Sequence, residues 1–311
     1  MINNQPHIPV MLSEVLQNLQ IKSGETYVDA TFGAGGYSTA ILQEADCKLI
    51  AFDRDKNVIK FVENLQNKFG NRFNFINEKF SEIENSLHQI GITEIDGLVM
   101  DIGVSSMQLD NEERGFSFDS SQKLDMRMDQ DQKLSAFEVV NEFSAKELAD
   151  IIYQFGDEIH AKKIANKIVQ LRKVKPIYEC RELANIVRGF YRGYFKTDPA
   201  TKTFQALRIF VNKELEELEM ALQSSLVLLK KGGRLVVVSF HSLEDRIVKN
   251  FLKKQAGIDK TFSRYEPEIA LENKSKINFK ILTKSALMPS QIEIENNPRS
   301  RSAKMRVAIK L

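Results

Sequence analysis

The chain has few of the residues from which secreted, membrane-spanning or metal-centred proteins are built. Its 311 residues include two cysteines, Cys47 and Cys180. Two are too few for a disulfide framework and lack zinc-ligand spacing, which suits a reducing compartment. Four scattered histidines, His7, His88, His160 and His241, argue against a His-built metal site, so no metal is expected. Long apolar runs are missing as well. Leu235 to Val238 is typical of the longest, against the ~20 residues a membrane span needs. The opening MINNQPHIPV has no basic stretch followed by an apolar one, so no signal peptide is expected. These absences predict a cytoplasmic protein with no membrane partner.

Charge of either sign is also not in excess: 44 basic residues face 42 acidic ones, and a net charge of +2 names no partner. Its distribution says more. From Arg172 to Arg208 there are nine basic residues against three acids, and after Glu295 there are five (Arg299, Arg301, Lys304, Arg306, Lys310) against none. Solvated helix faces plus a loose tail would explain this, and so would two patches for a phosphate backbone. With 42% apolar and 28% charged residues the chain is globular in balance. A chain this long can form one large or two ordinary domains and bury roughly 75% of its unfolded surface.

Periodicity divides the chain into three parts. Up to about Gly103, strands and helices alternate. Thr26–Phe32, Lys48–Phe52, Phe73–Ile76 and Ile95–Ile102 read as strands. Asp55 suits the N-cap of a helix carrying Val58, Ile59, Val62 and Leu65, and Ser81 with Glu84 reads as a capping box. Such alternation predicts a parallel sheet with helices on both faces. From Ser105 to Leu207 the pattern is helical, with a capping box at Ser144 and Glu147 and nothing strand-like. Phe204 to Leu229 then carries one helical stripe stopped by Gly232-Gly233. Leu235–Phe240 is a buried strand, Asn278–Thr283 and Lys304–Lys310 an antiparallel edge pair, and the polar stretch near 266–275 a loop. The expected architecture is α/β, with residues 1–107 and 208–311 forming one sheet domain and 108–207 a helical insertion.

The most informative local signal is Asp29-Ala-Thr-Phe-Gly33-Ala-Gly35-Gly36, a strand ending in a glycine loop that opens a helix. Glycines let the backbone approach a ligand, and a helix N-terminus offers free N–H groups. Asp53 stands 18 residues beyond Gly35, where a ribose-binding carboxylate belongs. A nicotinamide dinucleotide would want a third glycine where Ser38 stands; Asp29 before the loop favours a nucleoside with an amino group nearby. S-adenosylmethionine fits both facts, and a tight strand-helix turn with no ligand stays open. Phe80 follows the third strand, where an adenine would stack or an ordinary core phenylalanine would sit. Asp101 ends the fourth strand, at the crevice or as a cap. His241 and Ser242 end the fifth.

Six blocks then carry a resemblance. They are Asp101-Ile-Gly-Val-Ser-Ser-Met-Gln-Leu-Asp110, Glu113-Arg-Gly-Phe-Ser-Phe118, Leu124-Asp-Met-Arg-Met128, Ala206-Leu-Arg-Ile209 with Val211-Asn-Lys-Glu-Leu215, Ser239-Phe-His-Ser-Leu-Glu-Asp-Arg246, and Asn297-Pro-Arg-Ser-Arg-Ser-Ala-Lys304. Taken in order from His7 to the C-terminus, the chain resembles the bacterial small-subunit (16S) ribosomal RNA cytosine-N4 methyltransferases. The resemblance implies a Rossmann-like, S-adenosylmethionine-dependent methyltransferase with a helical insertion, acting on the exocyclic amine of a decoding-region cytidine. Small-subunit ribosomal RNA, within the small subunit or a late precursor, is the implied partner.

Position by position, the implied cofactor residues are Gly35, Gly36, Tyr37, Asp53, Phe80, Asp101 and Gln108. Tyr37 departs from the histidine that members often carry. Also missing is the Asp/Asn-Pro-Pro-aromatic motif that holds the target amine in many other amino-methyltransferases. Asp101 and His241 are the candidate catalytic groups, as acceptors for the target N–H. Arg127, Arg208, Arg299, Arg301 and Lys304 are the candidate RNA contacts. A methyltransferase acting on protein or a small molecule, and a non-catalytic RNA-binding or assembly factor, are the competing expectations.

Overall fold

The computed structural model describes residues 9–258 and 277–311. His7 and the loop expected near 266–275 lie outside the described residues. The chain divides into two compact units, one running to Gly103 and again from Leu215, the other comprising Val104–Glu214. The first unit starts with α1 (Leu12–Leu19) and then alternates β1 (Thr26–Asp29), α2 (Gly36–Glu44), β2 (Lys48–Phe52), α3 (Ile59–Phe69), β3 (Phe73–Ile76), α4 (Ile83–Gln89) and β4 (Ile95–Asp101). The second unit holds α5 (Ser106–Asp110), α6 (Ala136–Glu142), α7 (Ala145–Gly156), α8 (Ala161–Arg172), α9 (Cys180–Arg188) and α10 (Ala200–Asn212). The first then resumes with α11 (Glu214–Leu228), β5 (Leu229–Ser239), α12 (Ser242–Gln255), β6 (Phe279–Ile281), α13 (Gln291–Asn296) and β7 (Lys304–Lys310).

The strands form one sheet in the order β3-β2-β1-β4-β5-β7-β6. β1 to β5 are mutually parallel, while β7 runs antiparallel between β5 and β6. Strands of a parallel sheet are covered on both faces and so read as continuous apolar runs; Leu235 to Ser239 of β5 are all buried. On one face Val28, Ile50, Leu98, Met100 and Val237 pack with Ile83 and Leu87 of α4, Leu218 and Leu222 of α11, and Val248 and Leu252 of α12. The side chains between them point the other way. There Tyr27 and Leu19 of α1 fill the space over Gly97, where a Cβ would stand 2.7 Å and 2.8 Å from them. The result is the doubly wound α/β sheet that the alternation predicts.

Three local expectations are corrected. Ser81 does not open a capping box: it is buried in a 3-10 turn, Phe80–Glu82, that carries Phe80 into the core before α4 begins. The stripe from Phe204 to Leu229 is two helices, because Lys213 takes a left-handed conformation (φ 52°) after Asn212, whose side-chain amide is bound elsewhere. Lys230–Gly233 is the start of β5, not a helix stop. Lys230 Nζ binds both oxygens of Asp96 at 2.9 and 3.0 Å, and a register shift between Ile95 and Gly97 accommodates the glycines. The expected antiparallel pair at the C-terminus is present: Lys304–Lys310 is β7, paired with β6.

The second unit buries Leu148, Ile152, Ile164, Ile168, Leu183, Val187, Leu207 and Val211 in a core of its own. One isolated bridge, Lys123 to Glu179, is its only strand-like pairing among the described residues. Three of the sequence blocks prove to be cross-braces. Buried Arg114 donates to the carbonyls of Arg127 (2.9 Å) and Met128 (3.0 Å). Asn212 donates to Met126 O (2.7 Å) and accepts from Met128 N–H (2.8 Å). Gly115 (φ 69°) sits where a Cβ would meet Lys123 O at 2.5 Å and Asp125 N at 2.6 Å. Both obstacles are backbone and cannot swing aside. Gly115→Ala is therefore expected to destabilise the second unit by about 2 kcal/mol or more; a urea midpoint equal to that of the unsubstituted protein would refute this.

Candidate active site at the carboxyl edge of the sheet

Three functional candidates stand at the carboxyl ends of adjacent strands. In register, Asp29 of β1 pairs with Ala51 of β2 and Val99 of β4, so Asp53 and Asp101 each lie two residues further along. The order β2-β1-β4 reverses the direction of chain progression at β1, which makes this edge a topological switch point where open α/β sheets bind ligands. The glycine loop leaves β1 here. Gly35, the N-cap of α2, has φ 76°, a left-handed conformation that side chains resist. Gly36 lies under Pro9, whose ring would meet any added Cβ at 2.2 Å.

The loop is held by its own acids. Asp29 is fully buried, and its carboxylate accepts from Ser38 Oγ (2.7 Å) and Thr31 N–H (3.1 Å). Ser38 is thus present in place of a third glycine because its hydroxyl closes the loop onto Asp29. Asp53 accepts from the N–H groups of Gly33 and Asp55, both at 2.8 Å, and its carbonyl accepts from the Asn77 side chain (2.7 Å). Burial pushes both carboxyls up to about 6, against the pull of those hydrogen bonds.

Asp101 is different. Its N–H donates to Thr31 Oγ1 at 2.7 Å, which fixes the backbone, yet its buried Oδ1 has no hydrogen-bond partner within the protein. Burial first, then the charges of Asp29 and Glu244, hold this carboxyl well above the usual range. Leaving a buried acceptor unmatched costs about 1–3 kcal/mol, so Oδ1 is open to a donor from a bound group.

The other candidates fall as follows. Tyr37 is buried in the first turn of α2 with its hydroxyl donating to Val10 O, so its phenol is engaged. Phe80 is buried in the sheet core with Val28, Ile50 and Phe52. His241 is the N-cap of α12: its Nδ1 accepts from Glu244 N–H (3.4 Å), while the Glu244 carboxylate accepts from the N–H groups of Phe240 (2.8 Å) and His241 (3.2 Å). His241 Nε2 lies 2.9 Å from Glu244 Oε1 outside hydrogen-bond geometry. Arg299 and Arg301 are exposed on the 3-10 turn before β7, and Lys304 Nζ lies 3.8 Å from Asp245.

Gln108, in the second unit, is buried as the third helical residue of a capping box with Ser105. Arg127 forks onto Asp125 (2.7 Å twice) and also donates to the carbonyls of Gln130 and Gln132. Arg208 forks onto Glu214 (2.8 Å twice). Sequence reasoning missed Thr31 and Glu244 as supports of the site. The spacings Asp29-x-Thr31 and His241-x-x-Glu244, which allow a side chain to reach a nearby backbone N–H, were the available signals.

A doubly wound sheet with a glycine loop after its first strand, and acids ending the next strand and the neighbouring one, defines an enzyme that binds a nucleoside cofactor at its carboxyl edge. The residues fit S-adenosylmethionine, since the carboxyls of Asp53 and Asp101 are acceptors of the kind a cationic, hydroxyl-bearing nucleoside uses, and Asp101 Oδ1 is unmatched within the protein. The chain belongs to the MraW methylase family, whose profile matches residues 4–311, and is a methyltransferase. It is 51% identical over 310 residues to the ribosomal RNA small subunit methyltransferase H of Rickettsia bellii, covering 99% of each chain. To the protein of that name from Rickettsia felis it is 52% identical over 311 residues, again covering 99% of each. Among solved structures, an rRNA methylase from Streptococcus thermophilus is similar with a TM-score of 0.43 at 12% identity, covering 100% of this chain and 99% of its own.

Proposed function

We propose that this methyltransferase transfers a methyl group from S-adenosylmethionine to the exocyclic N4 of a cytidine in the decoding region of 16S ribosomal RNA. The observation that carries the proposal is the match to the MraW methylase family along residues 4–311, with relatives named ribosomal RNA small subunit methyltransferase H; the unpartnered, buried Oδ1 of Asp101 supports it. S-adenosylmethionine, when bound, supplies a methyl already activated by its sulfonium. Nothing in the protein need generate a strong nucleophile. The obstacle is the cytosine amine, whose lone pair is delocalised into the ring.

The chain's own residues answer that obstacle by positioning. Asp53, preset by two backbone N–H groups, would hold the ribose hydroxyls, while Gly35, Gly36 and the backbone of Tyr37 at the start of α2 would let the main chain approach. The family resemblance also implies Phe80 and Gln108 as cofactor residues, but Phe80 is packed in the sheet core and the Gln108 side chain closes its own capping box. Asp101 would accept an N–H of the target amine, which favours the pyramidal amine. One preorganised contact of this kind contributes about 2.7–4 kcal/mol. His241, committed to capping α12, serves as a support rather than an acceptor. The amine is reachable only once its base is unstacked. The second unit recognises the RNA, and Arg299, Arg301 and Lys304 of the first unit are further phosphate contacts; Arg127 braces its own loop and Arg208 the end of α10. The substrate is the small subunit or a late precursor, met in the cytoplasm. Among the described residues no helix is long and apolar enough to cross a membrane.

The test is transfer of labelled methyl to assembled small subunits, to naked 16S RNA and to a protein extract, followed by nucleoside analysis. N4-methylcytidine from an RNA substrate is expected. Label confined to protein would overturn the proposal.

Affinity for the cofactor should also depend on pH. Asp53 holds its proton up to about pH 6. A cationic cofactor that donates hydroxyl hydrogens prefers the carboxylate, so affinity rises with pH through that value. Below it the loss approaches about tenfold per pH unit for one linked proton. Stability has the opposite slope. Asp29 and Asp53 bind protons more tightly in the native chain than in the unfolded one (about 3.9), so their own contribution to stability falls as pH rises from about 4 to 6. Calorimetric titrations on either side of pH 6 check the first claim; equal affinities would contradict it.

A further inference from the structure

The loop joining α9 to α10 combines a rigid base with an exposed aromatic tip. At the base, Arg188 donates through Nε (2.9 Å) and Nη2 (2.6 Å) to Asp198 across ten residues of chain. Tyr191 donates its hydroxyl to the carboxylate of Glu158, which is fully buried, with oxygen distances of 2.5 and 2.6 Å. Its ring packs edge-on against His160 at 5.1 Å. Beyond this base the chain turns at Gly193 (φ 95°) and presents Tyr194, 95% exposed, and Phe195, 42% exposed. Phe195 is steadied by an edge contact with Tyr191 at 5.4 Å. Arg192 and Lys196, both exposed, flank the pair, and the one acid of the loop, Asp198, is paired with Arg188.

Folding alone gives no reason for this arrangement. Tyr194 buries almost nothing, and the anchored base would hold the loop whatever residue stood at its tip. An apolar protein interface would gather a contiguous patch, and its core would be poor in lysine; here each aromatic has a cation or glycine beside it. Aromatic faces interleaved with cations suit single-stranded nucleic acid, whose bases stack on rings while its phosphates meet the charges.

We propose that Tyr194 and Phe195 form a base-stacking platform for unpaired nucleotides of the RNA substrate, with Arg192 and Lys196 as the adjoining phosphate contacts. This rests on the reading of the substrate as RNA and assigns its single-stranded character to a particular loop. The platform holds bases in the splayed state that access to a cytosine amine demands.

The chain contains no tryptophan, so Tyr194→Trp in the full-length protein creates a single reporter at the tip. Titration with oligo(A) and oligo(U) is expected to quench its emission. Tyr194→Ala should weaken binding of both by ~5- to 100-fold and leave the salt dependence unchanged, because stacking releases no counterions. Arg192→Ala or Lys196→Ala should instead lower the log-log salt slope by about one each. RNA that binds without changing the reporter's emission, or binds Tyr194→Ala as tightly as the unsubstituted protein, overturns the platform alone. Emission that responds to ribosomal proteins and not to RNA also overturns it. An unsubstituted protein that binds no RNA at all overturns the underlying reading, and the platform with it.

Discussion

Asp101→Asn is expected to lower methyl transfer by ~10²–10³-fold while leaving the fold as stable as before, or more so. The activity loss follows from the part given to Oδ1: an amide oxygen is a weaker acceptor than a carboxylate and carries no charge toward a developing cationic amine. Deleting a single preorganised polar contact at a reacting centre typically costs that factor. The stability gain follows from the surroundings. The Asp101 carboxylate is buried, faces the charges of Asp29 and Glu244, and has an oxygen with no partner. An isosteric neutral group removes the repulsion and part of the desolvation cost. Turnover by the labelled-methyl assay and a thermal melt of the same preparation separate the two effects. A variant that is active and unchanged would return Asp101 to a capping role; one that is inactive and unfolded would make the residue structural.

Arg208→Met should do the reverse, unfolding the second unit more readily with no direct part in chemistry. The guanidinium forks onto Glu214, whose side chain is only 3% exposed, and the pair joins the end of α10 to the residue that follows its left-handed break. Removing one partner of a buried pair leaves an uncompensated charge and costs about 3–5 kcal/mol. Replacing both, as Arg208→Met with Glu214→Leu, should recover most of that loss. Urea denaturation of the single and double variants measures it. A single variant with normal stability but weakened RNA binding would make Arg208 an RNA contact after all.

The periodic parts of the fold were legible because burial is written directly into them. Alternating strands and helices announced the parallel sheet, and the resumption at Leu235 announced a single sheet interrupted by helices. What escaped depended on single side chains overriding a pattern. The stripe through Val211 and Leu215 reads unbroken, yet the Asn212 amide is spent on Met126 and Met128 and the helix ends there. Lys230 and Lys231 look like a helix terminus, and only pairing with Asp96 shows Lys230 to be in a strand.

At the site, Gly35, Asp53 and Asp101 could be found from their offsets after strands, since those offsets dictate where side chains emerge. The basic residues could not be sorted that way. Charge counts treat Arg127, Arg188 and Arg208 like Arg192 and Lys196, but the first three are bound to Asp125, Asp198 and Glu214 while the last two are exposed at a loop tip. Which cations are spent inside the protein is decided by tertiary contacts that no local spacing encodes.

The most direct test of the account is mass spectrometry of nucleosides from 16S RNA, in assembled small subunits, after incubation with the protein and S-adenosylmethionine. The account predicts a cytidine carrying one added methyl at N4, formed by the unsubstituted protein and nearly absent with Asp101→Asn. Methylation at carbon or ribose, or none in any RNA despite bound cofactor, would contradict it.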